Sequence, residues 1–170
     1  MANYQALINA FFKAKFLDIG FQECVDWAVR QLDQNPNNMN VMILAGLEKN
    51  DYWEIKKYIE AIIGSELVDS SQSNENWAGK YLLELEHKFK EDQISIQKLD
   101  EILSKIYYRL DYPNWLVMLA RNCEYATDVD AFMKPFLDEL DYVCSIWRVS
   151  ATIEEFNQKY DRKISNSHDW

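Results

Sequence analysis

Residues 95–113 read SIQKLDEILSKIYYRLDYP. The apolar positions Leu99, Ile102, Leu103, Ile106 and Leu110 recur in steps of one, three and four. That spacing gathers them on one face of a helix with 3.6 residues per turn, whereas a strand would need alternation. Ser95 stands just before the run, where its hydroxyl can accept from the first free amides, so it predicts an N-cap. Asp111-Tyr112-Pro113 predicts the stop, because proline disfavours α geometry in the residue before it. One amphipathic helix with both ends marked is thus legible from 19 residues.

The pattern repeats in both directions. Tyr4, Leu7, Ile8, Phe11 and Phe12 form one stripe, and Phe21, Cys24, Val25, Ala28 and Leu32 another, with Asp18-Ile19-Gly20 between them. Asp33 to Asn38 is a loop around Pro36, after which Met39, Met42, Ile43 and Leu47 mark a short helix. Asp51 and Glu54 predict a capping box opening a helix through Ile55, Ile59, Ile62 and Ile63, with Gly64 past its end. Toward the C-terminus come Trp77, Tyr81, Leu82, Leu85 and Phe89, then a helix entered at Pro113 with Leu116, Val117 and Ala120. Thr127 before Asp128 and Asp130 reads as a further helix start. Pro135 either kinks that helix or begins a new one, whose stripe is Phe136, Leu140, Val143, Cys144 and Trp147. Thr152 and Glu155 form a capping box before Ile153, Phe156 and Tyr160.

The expected fold is therefore all-α: eight or nine short helices packed as antiparallel hairpins, in a compact bundle or a short α-α superhelix. No repeat of fixed period is visible. The expected organisation is one helical domain over residues 1–163, an exposed loop at 65–76 (SELVDSSQSNEN) and a frayed tail at 164–170. Only 4 glycines and 3 prolines among 170 residues argue against a turn-rich β-sandwich.

Chemistry is sparse. The chain has two histidines, His87 and His168, and no glycine-rich phosphate loop or nucleophile elbow. Glu84 and His87 share a helix face at E-x-x-H spacing, but a di-iron bundle needs a second such motif. Asp128 and Asp130 lack the glycine and distal glutamate of a calcium loop. The cysteines, Cys24, Cys123 and Cys144, are odd in number, have no C-x-x-C spacing and lie among apolar residues. They read as buried free thiols in a reducing compartment. The expectation is no enzyme, no metal and no cofactor.

Targeting signals are equally scarce. The first basic residue, Lys13, follows the apolar positions of the N-terminus, unlike a secretory leader. No apolar run approaches the ~20 residues of a membrane span. The expected setting is cytoplasmic, with no membrane partner, and the chain a monomer or weak dimer.

Charge carries the functional reading. With 18 basic and 28 acidic residues the net charge is −10, which repels phosphate backbones and disfavours direct nucleic-acid binding. Between Asn122 and Glu155 eight acids face only Lys134 and Arg148, a local charge of −6 in 34 residues. Glu124, Asp128, Asp130, Asp138, Glu139 and Asp141 are the candidate partner-binding residues, an acidic patch that docks a basic protein. The bland alternative is a solubilising surface. Six tryptophans and ten tyrosines read mainly as core, and any exposed ones as interface anchors.

Several segments also carry a resemblance: FLDIGFQECVDWAVRQL, VMILAGLEKNDYWEIKKYIEAI, KYLLELEHKF and LDEILSKIYYRLDYPNWLVMLARNCEY. In order and spacing they resemble a bacterial family known as domain of unknown function number 2247, over most of residues 15–147. The strongest piece is Ile106 to Pro113. The resemblance implies a small all-helical cytosolic bacterial protein and brings no catalytic motif. Small acidic proteins of this kind often act as immunity proteins beside secreted toxins. The leading expectation is an immunity protein that binds and neutralises a toxin domain, a basic nuclease above all. The alternative is a helical scaffold or adaptor for a non-toxin partner.

Overall fold

The computed structural model describes residues 4–34 and 36–166, with side chains as far as residue 160. It is all-α, and no strand occurs among the described residues. The chain divides into two compact units, residues 1–74 and 75–170, where the sequence suggests one domain. The division falls inside a helix.

The first unit holds α1 (Tyr4–Leu17), α2 (Gln22–Leu32), α3 (Met39–Ala45), α4 (Tyr52–Ile63), α5 (Ser65–Asp69) and the start of α6 (Ser71–Lys90). Each of α1 to α4 packs on its successor. Leu7, Phe11, Phe12 and Phe16 are buried with Cys24, Ala28, Leu44, Ile55 and Ile59, as their helical spacing requires. Asn38 caps α3, accepting from the Asn40 and Val41 amides at 3.1 and 3.3 Å. Asp51 takes the N-cap position of α4 but makes no side-chain capping bond, so the expected box is absent. Gly64 ends α4 at φ 98°, ψ 142°, backbone open to glycine and hardly to other residues.

The expected loop at 65–76 is helical instead. It comprises α5 and the opening of α6, joined at Ser70. Three contacts invisible in the local pattern hold it. Val68 is fully buried. Lys56 bonds Asp69 at 2.8 Å. Lys15 donates to the Val68 carbonyl and to Asn74 Oδ1, both at 3.2 Å, while its ammonium lies 5.6–5.9 Å from the Phe11, Phe12 and Phe16 ring centres. Burial pulls Lys15 below the ordinary lysine value.

The second unit holds the remainder of α6, then α7 (Ile96–Arg109), α8 (Asn114–Asp128), a 3-10 turn (Asp130–Phe132), α9 (Met133–Arg148) and α10 (Ile153–Asn166). Helix α8 packs on both α7 and α9. Ser95 caps α7 as expected, accepting from the Lys98 amide at 3.2 Å. The α7 stop is a Schellman motif: the Tyr112 amide donates to Tyr107 O at 3.0 Å and the Asp111 amide to Tyr108 O at 3.2 Å. Asp111 and Tyr112 both lie at positive φ, 58° and 59°.

The following segment brings one correction, at Thr127, and decides one open alternative, at Pro135, which begins a new helix. Thr127 does not open a helix; it lies in the last turn of α8, its hydroxyl donating to Glu124 O at 2.7 Å. Pro135 falls in the first turn of α9, where its missing N–H leaves no helical bond unmade. Around Trp147 the unit is tightly built. Its ring stacks on Phe156 at 4.5 Å and meets Trp115 edge-on at 5.3 Å. Gly79 of α6 lies so close beneath it that a Cβ there would stand 2.2 Å from the ring. At α10, Thr152 accepts from the Glu155 amide at 3.4 Å, while the Glu155 carboxylate accepts from Ala151 rather than from Thr152. Helix α10 continues to Asn166, so residues 164–166 of the expected tail are helical, and 167–170, with His168 and Trp170, lie outside the described residues.

Candidate functional site

Glu124 and Asp128 stand one turn apart on the exposed side of α8, as i,i+4 neighbours do. Asp130 follows on the exposed 3-10 turn. From α7, the half-buried Asp100 approaches the first two. Burial, then the Glu124 and Asp128 charges, raise its carboxyl above the ordinary aspartate value. Its Oδ1 is buried and accepts no hydrogen bond among the described residues. None of these four carboxylates forms an ion pair among the described residues. The Glu124 and Asp128 charges thus act on Asp100 with no ion pair to offset them, and a cationic protein surface would gain by docking there.

The other three expected residues are placed differently. Asp138 is exposed but bonded to Lys134 at 2.6 Å on its own helix. Asp141 is bonded to Lys90 of α6, also at 2.6 Å. The same ammonium holds Glu86 at 2.7 Å, and Arg148 bonds the other Glu86 oxygen. Glu86 is only 2% exposed. Its burial raises the carboxyl, but the bonds from Lys90 and Arg148 outweigh that and leave it below the ordinary glutamate value. Asp141 thus belongs to a network fastening α6 to α9. Glu139 is half-buried, and burial raises its carboxyl.

Asp100 is the residue that sequence reasoning missed. It neighbours Leu99 on the α7 stripe and carries no local signal. Only the packing of α7 on α8 brings it to Glu124 and Asp128.

An apolar group adjoins the acids. Tyr125, Val129 and Phe132 are 45%, 46% and 36% exposed. The Tyr125 and Phe132 rings meet at 5.0 Å between centres. The core reading holds for the tryptophans and fails for the tyrosines: Trp27, Trp77, Trp115 and Trp147 are buried and Trp53 is 74% exposed, but of the ten tyrosines Tyr81 alone is buried, and Tyr108 and Tyr112 also face outward.

The thiols offer no nucleophile. Cys24, Cys123 and Cys144 are buried and free, and burial raises each well above the ordinary thiol value, to about 12 for Cys24 and Cys123. Among the described residues no three His, Cys, Asp or Glu side chains converge on a metal position, and no helix is long and apolar enough to cross a membrane. Comparison with family models, curated proteins and solved structures finds no match to this chain.

Proposed function

We propose that this chain is a protein-binding module of the immunity type, which docks a basic protein through the acidic surface of α8 and blocks its action. The observation that carries the reading is the convergence of Asp100, Glu124 and Asp128 without a cation to offset them. A nuclease domain presents a positive cleft for nucleic acid, and an acidic helical surface is steered into such a cleft and occupies it. A scaffold or adaptor that binds a basic non-toxin partner is the second reading, favoured by the same surface.

The test starts from the native partner, captured from the producing cell and purified. Association is then timed for wild type and for Glu124→Lys with Asp128→Lys. The expected result is slower association of the variant, and wild-type rates that fall as salt rises, since the Debye length shrinks to about 8 Å at physiological ionic strength. Equal rates and no salt dependence would reduce the acidic surface to a solubilising one. A partner that cleaves nucleic acid, and stops when the chain is added, separates the immunity reading from the adaptor.

A further inference from the structure

The C-terminal turn of α8 and the 3-10 turn after it expose an apolar cluster where the chain could have hidden it. The Val129 amide donates to Tyr125 O at 2.9 Å, and the Phe132 amide donates to Val129 O at 2.9 Å. These bonds fix the backbone through the corner. None of the three residues of the 3-10 turn is buried, although Ala131 and Phe132 are apolar. Tyr125 and Val129 are i,i+4 neighbours, and Phe132 closes on Tyr125. Single exposed apolar side chains are ordinary on a protein surface, whereas a joined group rimmed by polar residues marks an interaction site.

The rim is mainly acidic, with four carboxylates against the exposed Arg121 one turn before Tyr125 and Lys134, which is itself bonded to Asp138. Glu124 precedes Tyr125, Asp128 precedes Val129, Asp130 follows it, and Asp100 lies against the first two acids. That charge selects among occupants. A second copy meeting this face through a two-fold axis would set the same acids against one another. An anionic membrane surface or a nucleic acid would be repelled in the same way. A basic segment gains from the rim, and an apolar side chain on it gains from the centre.

We infer that Tyr125, Val129 and Phe132 are the anchor of the docking surface, and that its occupant is a segment of a basic protein presenting an apolar or aromatic side chain flanked by lysine or arginine. The inference rests on the acidic-surface reading above and adds the anchor and the chemistry of what fills it. Aromatic anchors at the centre of a charged rim are where binding energy concentrates.

Three synthetic peptides of equal length test it on the full chain: one of leucine and lysine, one of lysine and serine, and one of leucine and glutamate. Binding is read as amide shift changes in two-dimensional spectra and as affinity. The leucine–lysine peptide should shift the amides from Glu124 to Phe132 and bind about tenfold tighter than the lysine–serine peptide. Tyr125→Ser with Phe132→Ser should remove that advantage and leave lysine–serine binding unchanged. Glu124→Lys with Asp128→Lys should weaken both basic peptides. Thermal melting of each variant confirms folding: the charge variant should melt close to wild type, and the serine variant somewhat lower, because Tyr125 and Phe132 are part-buried and in ring contact.

Equal binding of the two basic peptides, indifferent to the serine variants, would overturn the anchor and leave the acidic surface standing. No binding of either basic peptide near Glu124 and Asp128 would overturn both. Leucine–glutamate binding as tight as leucine–lysine would overturn the basic occupant, as would a dimer in sedimentation that the serine variants dissociate.

Discussion

Asp100 and Glu86 show how the same side-chain chemistry acquires opposite pH behaviour. Burial and two neighbouring carboxylates raise Asp100, so the folded chain keeps that proton to higher pH than the unfolded chain does. Its contribution to stability is then greatest below the ordinary aspartate value and is lost as pH rises through the raised one. Glu86 is the reverse: lowered by Lys90 and Arg148, it stabilises the fold above the ordinary glutamate value and loses that effect as pH falls through its own. Asp100→Asn keeps the shape and removes the charge. It should raise the melting temperature at neutral pH and flatten the decline in stability from acid toward neutral. A neutral-pH melting temperature below that of wild type would mean the Asp100 carboxylate makes a favourable contact in the fold.

Helix ends decide which local signals become structure. At three of them an aspartate takes the left-handed conformation that glycine adopts most cheaply: Asp18 at φ 55°, Asp92 at 54° and Asp111 at 58°. After α6 the Gln93 amide donates to Lys88 O at 2.8 Å and the Asp92 amide to Phe89 O at 3.1 Å, the same pair of bonds that closes α7. Left-handed geometry costs an ordinary L-residue about 1–2 kcal/mol, which aspartate softens by local hydrogen bonding. Glycine would lift that cost but adds freedom to the unfolded chain. The balance for Asp111→Gly is a gain of about 0.5 kcal/mol, seen as a higher urea midpoint with unchanged slope. A lower midpoint would assign the Asp111 side chain a bond of its own. At α7 a further contact secures the stop, because the Tyr112 ring meets Tyr107 edge-on at 5.1 Å.

Across the molecule, close packing outweighs helix preference where the two conflict. Gly79 sits inside α6, where alanine would be favoured by about 1 kcal/mol on propensity alone. Its missing Cβ admits the Trp147 ring, which is fully buried and stacked against Phe156. Neither ring nor helix backbone can yield by more than an ångström without opening that core. Gly79→Ala should therefore destabilise the chain by at least about 2 kcal/mol, lowering the melting temperature by several degrees. A rise in melting temperature would show that the helix preference prevails and that Trp147 readily shifts. Elsewhere in the same unit α6 is fastened by polar bonds, from Trp115 Nε1 to Glu75 at 2.9 Å and from Lys80 to the Ser150 carbonyl at 2.5 Å.

Apolar spacing alone made the all-α architecture legible, along with the buried faces of α1, α2, α4, α7 and α9 and the ends marked by Ser95, Gly64 and Pro113. Those features depend on side chains one or two turns apart, within reach of a local pattern. The same reading placed Glu124, Asp128 and Asp130 on the surface. It failed at Ser65 to Asn76, where polar composition suggests a loop and Val68, Lys56 and Lys15 impose helix from a distance. It failed again for the acids. Asp138 meets Lys134 four residues earlier on its own helix, a local pairing, whereas Glu124 acts on Asp100 from another helix. Lys90 and Asp141 are 51 residues apart, and no spacing rule couples them. Which carboxylates are neutralised and which converge depends on how α6, α7, α8 and α9 are registered against one another. That register is set by packing between helices, a property that no single helix carries in its own residues.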